Sequence, residues 1–217
     1  YLAHAPMEPL NCVIHIEKNQ CHIWAGCQFQ TFDQANAAKI LGLQPSEVNI
    51  HTTLAGGSFG RRANPPSDYI SEAAWIAKTS RLSSRPIQVV WTREDDIKGG
   101  FYRPAVLHKA NIGLDKKGQP LAWHHRIVGQ SIMAGSPMAA SIKNGVDPTS
   151  VEGIDDLPYT VPNLKVELQS PTNPVPVLWW RSVGHTHTAF VRETLIDELA
   201  HMAGKDSVSY RMELLKA

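Results

Sequence analysis

Residues 11–18 (NCVIHIEK) alternate apolar and polar side chains, the two-residue period of a half-buried strand. Asn19-Gln20 offers turn residues, and 21–25 predicts the return strand. An alanine-rich run over 33–41 predicts a short helix, with Gly42 as its C-terminal stop. The β-branched run 48–54 predicts a strand that feeds directly into a glycine loop, LAGGSFGRRANPP, at 54–66. Beyond the prolines, Tyr69, Ile70, Ala73, Ile76 and Ala77 recur at helical spacing and predict a helix over 68–79, capped by Ser67 or Asp68. Residues 87–92 (IQVVWT) predict a strand, and 106–114 with 121–130 a hairpin closed at Asp115-Lys116-Lys117-Gly118. Between 131 and 162 the pattern fails. Gly, Pro, Ser and Asp predict a long loop with one helical turn at most, and loops of that length are more often functional than idle. A strand follows at 164–169. The strongest helical pattern runs over 188–202, with Phe190, Leu195, Leu199 and Met202 on or near one face and Gly204 as its stop, and a last helix follows Asp206.

Strands and helices are interspersed without strict alternation, and hairpins occur. The expected fold class is therefore α+β, mixed sheets with helices packed on them, rather than a doubly wound sheet. The chain reads as one domain over 1–217, with a subdivision near 100–105 as an option and a loop-rich segment at 131–162.

With 217 residues, 42% hydrophobic and 19% charged, the chain can build a packed core and is not disordered. A formal net charge of +1 gives no global field toward nucleic acid or anionic lipid. No uninterrupted apolar run approaches about 18 residues, so no membrane-crossing helix is predicted. No signal-peptide pattern opens the chain, but it begins at Tyr1 rather than Met, so this says nothing of compartment. Cys12, Cys21 and Cys27 are odd in number and contain no C-x-x-C, which predicts ordinary half-buried thiols rather than a disulfide framework or a metal knot.

The glycine loop carries the first candidate chemistry. Gly56-Gly57-Ser58-Phe59-Gly60 satisfies G-x-S-x-G, the serine hydrolase elbow, which would make Ser58 a nucleophile. That elbow needs a helix starting at the serine, and Pro65-Pro66 delay the helix and disfavour it just before them. No P-loop or dinucleotide fingerprint is present either. Glycines still permit backbone N–H groups to approach an anion, and Arg61-Arg62 could supply bidentate cationic donors. Anion binding, a structural turn and a hydrolase elbow are thus the three readings of the residues themselves. A non-catalytic binding or assembly module is a further alternative.

Five ordered stretches sharpen the choice: LAHAPMEPLNC, WAGCQFQTFDQANAAKILGL, LAGGSFGRR, WTREDDIKGGFYRP and WWRSVGHTHTAFVRETLIDELAHMAGKD. Together they resemble the molybdenum-binding large subunits of isoquinoline 1-oxidoreductase and related aldehyde dehydrogenases, in the xanthine dehydrogenase–aldehyde oxidase superfamily. The resemblance covers nearly the whole chain. It implies a molybdopterin cofactor, in bacterial members usually the cytosine dinucleotide form. It also implies hydroxylation of an aldehyde or N-heteroaromatic carbon with water-derived oxygen. Electrons would leave through iron–sulfur clusters on a small partner subunit, with a cytochrome c as one further acceptor the resemblance allows. It suggests a bacterial periplasmic setting, with the cytoplasm left open.

By the same resemblance, Gln28 matches the glutamine near the molybdenum ligands, and its amide can both donate and accept. Phe59 and Gly60 match the pair whose backbone N–H groups face the cofactor, with Gly56 and Gly57 permitting the approach. Arg61 and Arg62 match the double arginine of the isoquinoline-type branch. Ala63 stands where xanthine dehydrogenases carry a substrate-binding glutamate, which argues against a purine and for a less polar substrate. Arg181 matches an arginine on the substrate side, and Trp179 and Trp180 could wall an aromatic pocket; core packing with a salt-bridged Arg181 is the competing reading. His185 and His187 form an H-x-H on what reads as an extended segment, but no third ligand stands at a suitable spacing, so no metal ligands are assigned. Arg93-Glu94-Asp95-Asp96 with Arg103 reads as a structural charge network, and Asp197-Glu198 with His201 as a solvated face.

The family's general base is a glutamate in a glycine-containing motif near the end of the subunit. No such motif follows Leu214. The chain is therefore expected to be a fragment that carries one wall of the site, is inactive alone, and meets the remainder of the large subunit through its apolar surfaces.

Overall fold

A computed structural model describes residues 1–80, 82 and 84–215. The chain divides into two compact units, Leu2–Arg103 and Pro104–Ala217 with Tyr1. Each combines mixed sheet with helices, the expected α+β class.

The first unit contains β1 (Leu2–Ala3), β2 (Asn11–Glu17), β3 (Gln20–Ala25), α1 (Gln30–Leu41), β4 (Val48–Thr52), α2 (Asp68–Thr79), β5 (Ile87–Val90), α3 (Arg93–Lys98) and β6 (Tyr102–Arg103). Four strands form one sheet in the order β4-β3-β2-β5, and β1 pairs with β6. The β2–β3 and β2–β5 pairs are antiparallel, whereas β3 and β4 run parallel. Alternation does what the sequence predicts. Cys12, Ile14, Cys21, Ile23, Ala25 and Val48 leave water together with Ala37 and Ala38 of α1 and Tyr69, Ile70, Ala73, Ala74 and Ala77 of α2. Small alanines at the helix contacts let α1 and α2 lie close to the sheet. The three thiols are buried rather than half-buried, and desolvation pushes each up to about 12.

Helix α1 begins at Gln30, ahead of the predicted 33–41, because the Phe29 carbonyl already accepts from Phe32 and Asp33 N–H. Gly42 ends it in the left-handed region at φ 78°. Asp33 is buried on this helix, and desolvation raises its carboxyl to about 6 against hydrogen bonds from Ser67 and Cys27. Helix α2 spans the predicted range, but its start differs from the predicted caps. Asn64 Oδ1 accepts the Asp68 N–H at 2.8 Å, and Ser67 makes no side-chain cap. The acidic run after Thr92 is a short helix. Thr92 Oγ1 accepts the Asp95 N–H at 3.2 Å while the Asp95 carboxylate accepts the Thr92 N–H at 3.3 Å, a reciprocal cap.

The second unit contains β7 (Val106–Leu114), β8 (Pro120–Gly129), α4 (Pro148–Val151), β9 (Asn163–Gln169), α5 (His185–Met202) and α6 (Ser207–Leu215). The sheet order is β7-β8-β9, antiparallel then parallel. The hairpin turn is set by Asp115, whose Oδ1 accepts N–H groups of Lys117 and Gln119 at 2.8 Å each. Gly118 is required there: its φ is +77°, and a Cβ would lie 2.4 Å from Ala203 Cβ. Segment 131–162 is mostly loop, with a 3-10 turn at Ala139–Ser141 and α4.

Helix α5 starts earlier than predicted, and of the expected face Leu199 is buried and Leu195 packs beside it, whereas the other two residues are not. Ile196, Leu199 and Ala200 pack with Trp123, Tyr210 and Leu214, while Phe190 and Met202 are 73% and 72% exposed. Glu193 and Asp197 lie toward α6, where Arg211 reaches Glu193 Oε2 at 3.0 Å and Asp197 Oδ1 at 2.6 Å. Asp197 therefore belongs to a helix–helix ion network and not to a merely solvated face.

A row of rings crosses this unit. Trp123 Nε1 donates to His125 Nδ1 at 3.1 Å, His125 Nε2 lies 2.9 Å from His108 Nδ1, and His108 Nε2 lies 3.0 Å from His187 Nδ1. His125 is wholly buried, and desolvation, helped by His108 and His124, pulls its imidazole down to about 4.

Candidate cofactor-binding site

Parallel pairing decides where the candidate residues of the first unit gather. Ala25 of β3 is the register partner of Thr52 of β4, and Thr53 N–H continues the ladder to the Ala25 carbonyl at 3.0 Å. Both strands therefore end at the same edge of the sheet. The segment leaving β3, residues 26–28, meets the glycine loop leaving β4. Crevices outside the carboxyl ends of parallel strands are where open sheets receive ligands.

The meeting is direct. Gln28 N–H donates to the Arg62 carbonyl at 3.4 Å, and Ser58 Oγ donates to Gln28 Oε1 at 2.5 Å. Ser58 Oγ also accepts the Arg62 N–H at 2.9 Å. Gln28 and Phe59 are exposed, as is Gly56. Gly57, Phe59 and Gly60 have φ of +97°, +57° and +104°. The left-handed region suits glycine, but Phe59 is held there at a cost of order 1 kcal/mol. A backbone that curls this way turns peptide N–H groups toward one side.

The two arginines lie beneath this surface. Arg61 and Arg62 are each 1% exposed. Arg61 Nη2 meets Asp68 Oδ2 at 2.5 Å, and its guanidinium sits 5.7 Å from the ring centres of Trp91 and of Phe101. Gly100 makes room for it, since a Cβ there would lie 2.6 Å from Arg61 Nη2. Arg62 staples three segments: it reaches the Gly26 carbonyl at 3.3 Å, the Gly57 carbonyl at 3.4 Å and Glu8 Oε2 at 3.2 Å. The expected presentation of both guanidinium groups to an outside anion is thus not how they lie. Their charges are met by Asp68 and Glu8, and they shape the loop from inside.

Glu8, Ser58 and Asn64 support the loop, a role that the motifs do not single out. Glu8 Oε1 accepts from Asn11 at 2.8 Å, and Oε2 accepts the Gly56 N–H at 2.5 Å. Asn11, then Gly56, then Arg62 hold its carboxyl below the usual carboxylate range against burial. HAPMEP locates Glu8 in the chain, but its partners lie far along it in the glycine loop. The hydrolase elbow is absent: the helix starts at Asp68, and Ser58 is bonded to Gln28 and Arg62 rather than to an imidazole.

In the second unit, Trp179 and Trp180 line a small cavity of about 20 Å³ with Val106, Ile127, Leu178 and His187. Arg181 is exposed beyond it, on a turn where Ser182 and Val183 have φ of +73° and +50°. No ion pair holds Arg181 among the described residues. The H-x-H lies on the first turn of α5 and not on an extended segment, so the two side chains diverge: His185 is exposed and His187 is buried against His108. Among the described residues no cluster of three or more His, Cys, Asp or Glu could hold a metal ion.

The molybdopterin cofactor-binding domain model matches residues 1–215. The chain belongs to this family. As a molybdopterin cofactor-binding domain it is 32% identical over 211 residues to the isoquinoline 1-oxidoreductase β subunit of Brevundimonas diminuta, covering 96% of this chain and 26% of that one. It is 27% identical over 211 residues to the molybdenum-binding subunit of the aldehyde oxidoreductase of Escherichia coli, covering 97% and 27%. The domain thus spans about a quarter of the length of these curated relatives. Its fold is that of quinoline 2-oxidoreductase from Pseudomonas putida 86, with a TM-score of 0.75 at 23% identity over 97% of this chain and 26% of that one.

Proposed function

We propose that this domain supplies one wall of the molybdenum site in a hydroxylase of N-heteroaromatic or aldehyde substrates. The observation that carries the reading is the union of an exposed Gln28 with a left-handed glycine loop at one sheet edge. The residues fit a molybdopterin. Gly56, Gly57 and Gly60 carry no side chain and Phe59 holds a left-handed backbone, so the main chain of the loop can come close to oxygen-rich groups, although the Gly56 N–H is already given to Glu8. Gln28 adds an amide that can orient such an oxygen. Arg61 and Arg62 keep the loop in shape by their internal ion pairs and place positive charge beneath it.

When bound, the molybdenum group supplies a two-electron centre and activates water-derived oxygen for transfer to carbon. The domain's own part is to bind and to orient. Trp180 offers an indole face to an aromatic substrate, and the exposed Arg181 a permanent positive charge. Ala63 offers no carboxylate, which suits a substrate less polar than a purine. The general-base glutamate is assigned to the remainder of the large subunit. The cytosine dinucleotide form of the cofactor, iron–sulfur clusters on a small partner subunit and a cytochrome c acceptor are further parts of this reading, supported by the resemblance of the motifs.

The test is elemental and pterin analysis of the full-length protein, with turnover of isoquinoline-like and aldehyde substrates in water enriched in heavy oxygen. Molybdenum at about one per chain, a pterin and label in the product are expected. An active full-length protein without molybdenum overturns the reading and would favour a binding or assembly role for the domain.

A further inference from the structure

The function proposed above gives Gln28 a task but does not say which end of its amide performs it. The two ends differ chemically: the oxygen only accepts, and the nitrogen only donates. Ser58 takes the oxygen end. A hydroxyl has one proton and two acceptor positions. One acceptor position of Ser58 Oγ is taken by the Arg62 N–H at 2.9 Å. Its proton goes to Gln28 Oε1 at 2.5 Å. Reversing the amide would aim an N–H2 group at the same oxygen and send the hydroxyl proton in search of another acceptor.

The backbone leaves little freedom to escape this choice. Gln28 N–H is tied to the Arg62 carbonyl, so the residue is attached to one loop at both its main chain and its side chain. Arg62 is in turn fixed by Gly26, Gly57 and Glu8. Ser58 hence stands on a rigid support while it holds an otherwise exposed side chain.

We propose that Ser58 is a positioning residue for Gln28. Its hydroxyl captures the side-chain oxygen and turns the amide nitrogen away as the donor, so that the site presents a hydrogen-bond donor to an oxygen atom of its ligand. This rests on the reading of Gln28 as a cofactor-side residue. It also gives the serine of G-x-S-x-G a use unrelated to nucleophilic attack.

The experiment is a double-mutant cycle in the full-length protein with Ser58→Ala, Gln28→Ala and the pair, and Ser58→Thr as the variant that keeps a hydroxyl. Three quantities are read: molybdenum content, the Mo(V) electron paramagnetic resonance spectrum with kcat and KM, and the midpoint of thermal unfolding. Ser58→Ala is expected to keep its molybdenum, shift the spectrum and lower kcat about tenfold, the worth of one ordinary hydrogen bond, with KM within about twofold. Ser58→Thr should recover most of both. In the Gln28→Ala background the loss of Ser58 should add less than about twofold in kcat, and the midpoint should fall by less than the sum of the single effects. An unchanged spectrum and kcat in Ser58→Ala at full molybdenum content overturns the proposal, as does a fully additive cycle. Should Ser58→Ala lose the metal, or should the wild type hold none, the unfolding cycle still decides whether Ser58 and Gln28 act as a pair. Only absence of metal from active wild type counts against the underlying functional reading.

Discussion

Arg62 and Glu8 close the glycine loop from within: Arg62 Nη2 lies 3.2 Å from Glu8 Oε2, the same oxygen that receives the Gly56 N–H at 2.5 Å. One carboxylate therefore holds both a buried cation and the backbone of the loop. Arg62 is 1% exposed, whereas the Glu8 side chain keeps 36% of its surface. Glu8→Ala leaves a guanidinium in the interior without its carboxylate. The half-open position of Glu8 admits water, so the cost should be about 2 kcal/mol and not the larger loss of a fully buried pair. A shift of the denaturant midpoint at unchanged slope would measure it, and an unchanged midpoint would show that the pair contributes nothing.

Gly100→Ala should destabilise the first unit by about 1–3 kcal/mol, the usual cost of crowding a filled interior. The added Cβ would meet the Arg61 guanidinium, which cannot retreat without leaving Asp68, Trp91 and Phe101. Arg61→Lys in the same background should relieve part of the crowding while losing the fork-shaped contact to Asp68. Thermal unfolding of the two single variants and the double variant checks the coupling.

Acid should act on the two units in opposite directions. His125 falls to about 4 in the folded chain, below its ordinary 6.5. Between those values the unfolded chain takes up a proton that the folded chain refuses. The stabilisation is present above pH 6.5 and lost as the pH falls toward 4, up to about 3 kcal/mol. Asp33 is raised from 3.8 to about 6, so here the folded chain takes up the proton first. Its burial weighs against the first unit above pH 6, and that burden lifts as the pH falls toward 3.8. Hydrogen exchange at pH 7 and 4.5, corrected for intrinsic rates, should show protection lost in β8 and retained or increased in α1. Equal loss in both would refute the assignment.

The three cysteines should be inert while the chain is folded. Burial pushes Cys12, Cys21 and Cys27 up to about 12, so almost no thiolate exists at pH 8. Mass spectrometry after brief alkylation is expected to find no adduct in native protein and three in denaturant. Rapid native labelling of any one would show that its strand opens.

How much of the fold is legible in the sequence varies from element to element. Helix α2 is, because its apolar spacing and the prolines before it agree, and the hairpin of β7 and β8 is, because Asp115 and Gly118 mark its turn. Helix α5 is legible as a helix but only partly in its orientation, since Leu195 and Leu199 turn inward as expected and Phe190 and Met202 do not. Apolar residues lie on more than one side of it, and only Trp123, Tyr210 and Leu214 across the interface select the stripe of Ile196, Leu199 and Ala200 over Phe190 and Met202. The candidate site shows the same division. The motif locates Gln28 and the glycine loop, and parallel pairing of β3 and β4 explains why they meet. The inward direction of Arg61 and Arg62 depends on Asp68 and Glu8, and pairings of that kind leave no periodic mark in a chain.

The row of rings in the second unit has an arrow. The indole nitrogen of Trp123 can only give a hydrogen bond, so His125 must receive at Nδ1 and, being neutral, keep its hydrogen on Nε2. His108 then receives at Nδ1 and gives from Nε2, and His187 receives in its turn. One donor-only ring at the inner end thus dictates the tautomer of three imidazoles in succession. It also makes the row a blind alley for protons, since nothing handed inward could be passed through the indole. Trp123→Phe would remove the donor that sets the direction of the row, with no change of charge at the substituted position.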